Sequence, residues 1–218
     1  MKRRWKLLCL VLIAGAVLLL YDRSPITAEQ LMDWQPQNLF LAALILLLFF
    51  AVKSALVFVP ILIPQILVGH LYPGYAAFGL NLLGLVVVMS VPHAIGRRLG
   101  GERLSSILQR YPKLEGILKL QQENALALSF MLRACAVPPA DIVTMYLGAS
   151  GMPLHINVLG GVLGALPAMV MTTFLGANIR DPSSPAFWQA LGLNVGWIVL
   201  SALGFWLFHK LTSREETE

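Results

Sequence analysis

Two apolar segments set eighty residues apart each carry a cation and then a cluster of prolines. The first, FFAVKSALVFVPILIPQILVGHLYPG, runs from Phe49 to Gly74, and the second, SFMLRACAVPPADIVTMYLGASGMP, from Ser129 to Pro153. At an offset of eighty, Phe50 meets Phe130, Lys53 meets Arg133, Pro73 meets Pro153, Gly84 meets Gly164 and Met89 meets Met169. A charge at membrane depth is costly and marks a site by default. A repeated pair of hydrophobic segments interrupted by Pro and Gly points to a binding site between two halves of a transporter-type bundle.

That reading needs lipid as the solvent, and composition supplies it. Of 218 residues, 57% are hydrophobic and 12% charged, and mean hydropathy is +0.74. A soluble domain carries about 25% charged residues. The length suits one membrane domain and leaves no room for a separate soluble catalytic domain. The pI near 9.5 does not point to nucleic acid, because the basic residues sit at membrane edges where they set topology and attract anionic headgroups. Cys9 and Cys135 both lie in apolar runs without a CxxC, so neither a disulfide nor a metal site is expected.

The hydropathy pattern divides the chain in three. Residues 1–38 give an N-terminal transmembrane helix and an external loop. The basic head Lys2, Arg3, Arg4 and Lys6 also suits a cleaved leader, with Ile26-Thr27-Ala28 as a poor cleavage site. Residues 39–180 give the core: a hairpin over 39–72, a helix over 74–97, a basic cytoplasmic loop over 98–124, a second hairpin over 125–151 and a helix over 153–178. Residues 186–218 give a C-terminal transmembrane helix and a cytoplasmic tail. Within the basic loop, the spacing of Leu104, Ile107, Leu108 and Tyr111, then Leu114, Ile117 and Leu118, predicts an interfacial amphipathic helix pair split at Pro112. It reads as a linker lying on the membrane or as a headgroup-sensing surface.

Two topologies compete: full crossings by both broken segments, or two re-entrant hairpins entering from opposite sides. With hairpins, twelve of the sixteen Lys and Arg fall inside, Arg23 and Arg180 outside, and Lys53 and Arg133 within the membrane, a strong positive-inside bias. Segment 62–72 is also too short to span, since spanning takes about 20 residues. Single prolines suit kinked helices, but Pro60, Pro64, Pro138 and Pro139 recur in both halves. The expected fold is therefore an all-α polytopic membrane protein, an inverted repeat with two re-entrant helical hairpins.

Arg133 is the foremost functional candidate, because its fork of donors matches phosphate or carboxylate. Asp141, the only acidic residue in the predicted membrane region, follows the Pro-Pro break and can fold back beside Arg133. A structural Arg133–Asp141 pair and a binding role are compatible. Lys53 is the counterpart in the first hairpin, with snorkelling along its stem as the plain alternative. Gln65, His70, His93 and His155 read as polar caps more readily than as proton shuttles. Gly160 and Gly164 form a small-xxx-small face for close helix approach. No Walker loop, nucleophile elbow, HExxH or carboxylate pair is present, so an enzyme is not expected.

The two hairpin stretches resemble the DedA/SNARE-associated (VTT) superfamily over roughly residues 48–180. The resemblance rests on Lys53–Gly74, on Gly84–Gly100 ending IGRRLG, and above all on FMLRACAVPPADIVTMYLGASGMP. It implies that Arg133 is the hairpin arginine, that the chain is a lipid scramblase or translocase, and that undecaprenyl phosphate or a phospholipid is the cargo. Lys53 and Gln65 stand where one branch of the family carries acidic residues, and Pro139 falls near that branch's second arginine. The likeness is thus nearer the broader VTT branch.

The resulting expectation is a multi-pass protein of the cell inner (plasma) membrane with both termini cytoplasmic. Its substrate-binding and transport residues would be Arg133, Asp141, Lys53, Pro138, Pro139, Pro60 and Pro64. Its partners would be membrane lipids and a possible second copy of itself, without nucleic acid or cofactor. An ion-coupled transporter of a small anionic solute and a non-transporting membrane assembly factor are the alternatives.

Overall fold

Proline and asparagine set the helix boundaries of this chain. The computed structural model describes residue 36 and residues 38–55, 59–100, 114–134 and 140–215. The expected N-terminal helix, the amphipathic stretch through residue 113, Pro138 and Pro139 lie outside the described residues. Helix α1 (Leu39–Ala55) starts at Asn38, whose Oδ1 accepts the backbone N–H groups of Phe40 at 3.0 Å and Leu41 at 3.1 Å. An asparagine at this position satisfies donors the helix leaves free. Helix α2 (Leu62–Leu71) follows exposed Pro60 and carries Pro64 in its first turn, where a missing N–H costs nothing. Helix α3 (Gly74–Leu99) is capped by extended Pro73 and ends at Gly100, whose φ of 76° suits glycine.

The second half repeats this order. Helix α4 (Leu114–Ala134) breaks at Asn124, where φ is −154° and ψ is 87°. The Asn124 Oδ1 accepts the N–H of Ala127 at 2.9 Å and so caps the portion that runs on to Arg133. Part of the expected basic loop is therefore helical, from Leu114 to the Asn124 break. Short helix α5 (Ala140–Ala149) leads through Gly151, at φ 85°, to Pro153 and helix α6 (Leu154–Asn178). Asp181 and Ser184 form the following turn: Ser183 N donates to Asp181 Oδ1 at 3.2 Å, and Ser184 Oγ accepts the Phe187 N–H at 3.2 Å. Helix α7 (Pro185–Glu215) closes the chain. All seven helices are α, and no strand occurs among the described residues.

Three of them, α3, α6 and the Pro185–Gly204 part of α7, are long and apolar enough to cross a membrane. The short helices are not. At 1.5 Å per residue a ten-residue helix rises only about 15 Å against a hydrocarbon core of about 30 Å.

The packing is reciprocal. Helix α1 lies on α3 and α4 on α6, while each short helix lies on the long helix of the other half: α2 on α6, and α5 on α3. Glycine pairs make both exchanges possible. A Cβ on Gly69 of α2 would run into the Thr173 carbonyl, and one on Gly176 of α6 into that of Ile66. In the other crossing, a Cβ on Gly148 of α5 would strike the His93 carbonyl, and one on Gly96 of α3 that of Met145. Small residues at such contacts let backbones meet.

The core has three parts. Leu46, Phe50, Val68 and Val88 fill the first half, and Leu128, Tyr146, Leu147 and Met152 the second. Met89 and Met169 meet Leu85 where α3 crosses α6. The pairs found at the eighty-residue offset agree only in part. Pro73 and Pro153 both cap long helices. Phe50 and Phe130 differ: the buried Phe50 ring fills the space over Gly84, whereas Phe130 sets only its carbonyl over Gly164 and leaves its side chain exposed.

Candidate functional site

Lys53 sits in the last turn of α1, Arg133 in the last turn of α4 and Asp141 in the first turn of α5. Each charge matches the partial charge of its helix end, which is negative at the C-terminus and positive at the N-terminus. The Lys53 Nζ donates to Asp141 Oδ2 at 2.7 Å, with side chains only 5% and 6% exposed. Lys53 is thus buried and paired and does not snorkel. Asp141 closes an ion pair across the two halves with Lys53, where the sequence suggested Arg133 within one hairpin. Arg133 remains in electrostatic range of Asp141, but the Arg133 Nη2 donates to Thr144 Oγ1. Asp141 and Thr144 are three residues apart on α5 and so share a face. One short helix presents both partners to cations from two different helices.

This arrangement leaves one atom unmatched. Asp141 Oδ1 is buried and has no hydrogen-bond partner among the described residues. A buried carboxylate oxygen in that state is costly, and such exceptions in a native fold call for an explanation. Around the ends of the two cation-bearing helices, hydroxyls take up the backbone. Ser54 Oγ donates to the Phe50 carbonyl at 2.7 Å, and Ser201 Oγ of α7 donates to the Ala134 carbonyl at 3.0 Å, next to Arg133.

The prolines divide. Pro60 is exposed between α1 and α2, and Pro64 is buried in the first turn of α2. Their visible effect is at the start of α2, where Pro60 precedes the helix and Pro64 lies in its first turn. Pro138 and Pro139 lie outside the described residues.

A second set of buried polar groups ties the halves together. Asn81 Nδ2 donates to Thr173 Oγ1 at 2.7 Å and to the Gln65 carbonyl at 3.1 Å, joining α3, α6 and α2. Ser129 Oγ donates to the Asn157 carbonyl at 2.8 Å. His93 Nε2 bonds the Met152 carbonyl at 2.8 Å, clipping α3 to the turn before α6. Sequence reasoning passed over Thr144, Asn81, Ser129, Asn157, Thr173 and Ser201. An asparagine within a long apolar run was the available signal, because an unpaired amide in hydrocarbon is expensive. Apart from these groups, an open apolar groove of about 370 Å³ lies among Tyr72, Phe78, Val170 and Phe174.

The VTT domain family model matches residues 59–178, more than half of the chain. Arg133, Asp141, Pro60 and Pro64 fall inside the match and Lys53 just before it. No curated protein and no solved structure matches the chain.

Proposed function

This chain belongs to the VTT domain family, and from that premise we propose that it is a lipid translocase or scramblase, moving phospholipid or a polyprenyl phosphate between leaflets. The observation that carries the reading is the cluster of buried Lys53 and Asp141 with half-buried Arg133 at the ends of three helices, in a bundle otherwise faced with apolar residues. Exposed Phe40, Leu48, Leu83, Leu163 and Ile198 suit acyl chains, whereas the charged cluster suits a phosphate. A headgroup crosses by exchanging its water shell for these cations while its tails stay in the bilayer.

The same proposal includes the topology. Two short helices that exchange between halves support two re-entrant hairpins in an inverted repeat, with binding near the midplane. The distribution of Lys and Arg supports cytoplasmic termini, and the place in the inner membrane is part of the same reading, supported by the family match.

The test is lipid flipping in sealed proteoliposomes, with headgroup-fluorescent phospholipid bleached from outside by an impermeant reductant. Bleaching well beyond the outer-leaflet half, lost in Arg133→Ala protein that still folds, is the expected result. A protected inner half in vesicles holding folded wild-type protein overturns general phospholipid movement. Proton-driven uptake of a labelled anion without lipid movement selects the solute carrier. If Arg133→Ala lowers folded yield and the wild type transports nothing, the protein is an assembly factor.

A further inference from the structure

The proposed phosphate site has a charge count, and the count selects among phosphates. Lys53 and Arg133 bring two positive charges, and among the described residues Asp141 is the one buried acidic residue beside them. The residues between α1 and α2, Leu56 through Ile61, and those between α4 and α5, Cys135 through Pro139, add none. One positive charge is therefore left over. In a medium that solvates ions poorly, an uncompensated charge is the expensive state.

Resting on the lipid reading above, we infer that this site takes its phosphate as a monoanion, the ionic form of a phosphodiester. A diester brings one negative charge and leaves the cluster neutral. A phosphomonoester dianion brings two and leaves one negative charge uncompensated. One proton carried on the monoester restores the balance, and its P–OH can donate to Asp141 Oδ1, which has no hydrogen-bond partner among the described residues. The site thus takes a diester directly and a monoester only with one proton. Arg133 has a fork of donors for the phosphate oxygens, and Lys53 keeps the carboxylate occupied on its other oxygen. Without Asp141 two positive charges remain, and the dianion becomes the matching ligand.

The test is calorimetry on purified full-length protein in detergent at alkaline pH, where the monoester is doubly charged. The probes are dioctanoyl phosphatidylglycerol, dioctanoyl phosphatidate and the deacylated glycerophosphodiester. Runs in buffers of different ionisation heat count the protons. The diester lipid should bind the wild type without proton uptake. The monoester should bind at least about tenfold more weakly, or with one proton taken up, as expected for one unmatched charge in a desolvated site. Asp141→Asn should reverse the preference.

Equal or tighter binding of the dianion to the wild type without proton uptake overturns the inference. So does failure to bind either lipid, or an unchanged preference in folded Asp141→Asn protein. If that variant does not fold, the wild-type comparison and its proton count decide alone. Deacylated diester binding as tightly as the lipid upholds the charge rule and overturns the lipid as its source. The reading it rests on fails separately: diester-selective binding without lipid flipping sinks translocation and keeps the rule, while flipping without charge preference does the reverse.

Discussion

Lys53 has its counter-ion eighty-eight residues away, and this separation decides what substitution does. Removing one member of a buried pair strands the other, at a cost of about 3–5 kcal/mol. Lys53→Met and Asp141→Leu should each lower the unfolding temperature in detergent sharply, and the double variant should recover most of the loss but not lipid flipping. A reversed pair, Lys53→Asp with Asp141→Lys, should recover less than the apolar double variant, because each charge then opposes its helix dipole. Thr144→Val should cost roughly 1–3 kcal/mol, since it takes the acceptor from a half-buried guanidinium. A Thr144→Val protein as stable as wild type in thermal unfolding would show that Arg133 has another partner. Arg133 and Asp141 stood out in the sequence because charge is rare in the apolar runs. Their partners were not, because nearness in sequence favoured Asp141 with Arg133, whereas the helix exchange delivers Lys53. Thr144 gave no signal, since a lone threonine in an apolar helix is unremarkable.

At the level of elements, the glycines of α3 separate packing from propensity. Gly96 faces the Met145 carbonyl of α5, while Gly79 in the same helix has open space where a Cβ would stand. Gly96→Ala should push α5 away and lower both thermal stability and folded yield. Gly79→Ala should be neutral or stabilising by up to about 1 kcal/mol, from helix propensity alone. Equal effects of the two in a thermal melt would refute the close crossing. The boundaries of these elements were largely readable. Pro60 and Pro64 stand at the start of α2, and Pro73 and Pro153, which correspond at the eighty-residue offset, open the long helices. Which helix covers which was not readable. Periodicity reports a helix's apolar face and says nothing of whose face it meets, so the placing of α2 on α6 and α5 on α3 needed three dimensions.

For the whole molecule, the proposed topology puts the two short-helix turns on opposite sides of the membrane. A cysteine at Tyr75, which is 95% exposed, should react with an impermeant thiol reagent added outside intact cells, and one at exposed Leu154 only after the inner face is opened. Labelling of both from the same side would remove the inverted arrangement. The exchange of short helices also sets a schedule for biosynthesis. When α1, α2 and α3 have left the ribosome, α2 has no α6 to cover it and Lys53 has no carboxylate. At roughly 5–20 residues per second, the eighty-eight residues to Asp141 take about 4–18 s. For that interval a cation made for the interior must stay near the membrane surface or in the insertion machinery. A chain ending after Gly100 would hold it there permanently and should be cleared rapidly in a pulse-chase measurement, whereas the full chain persists.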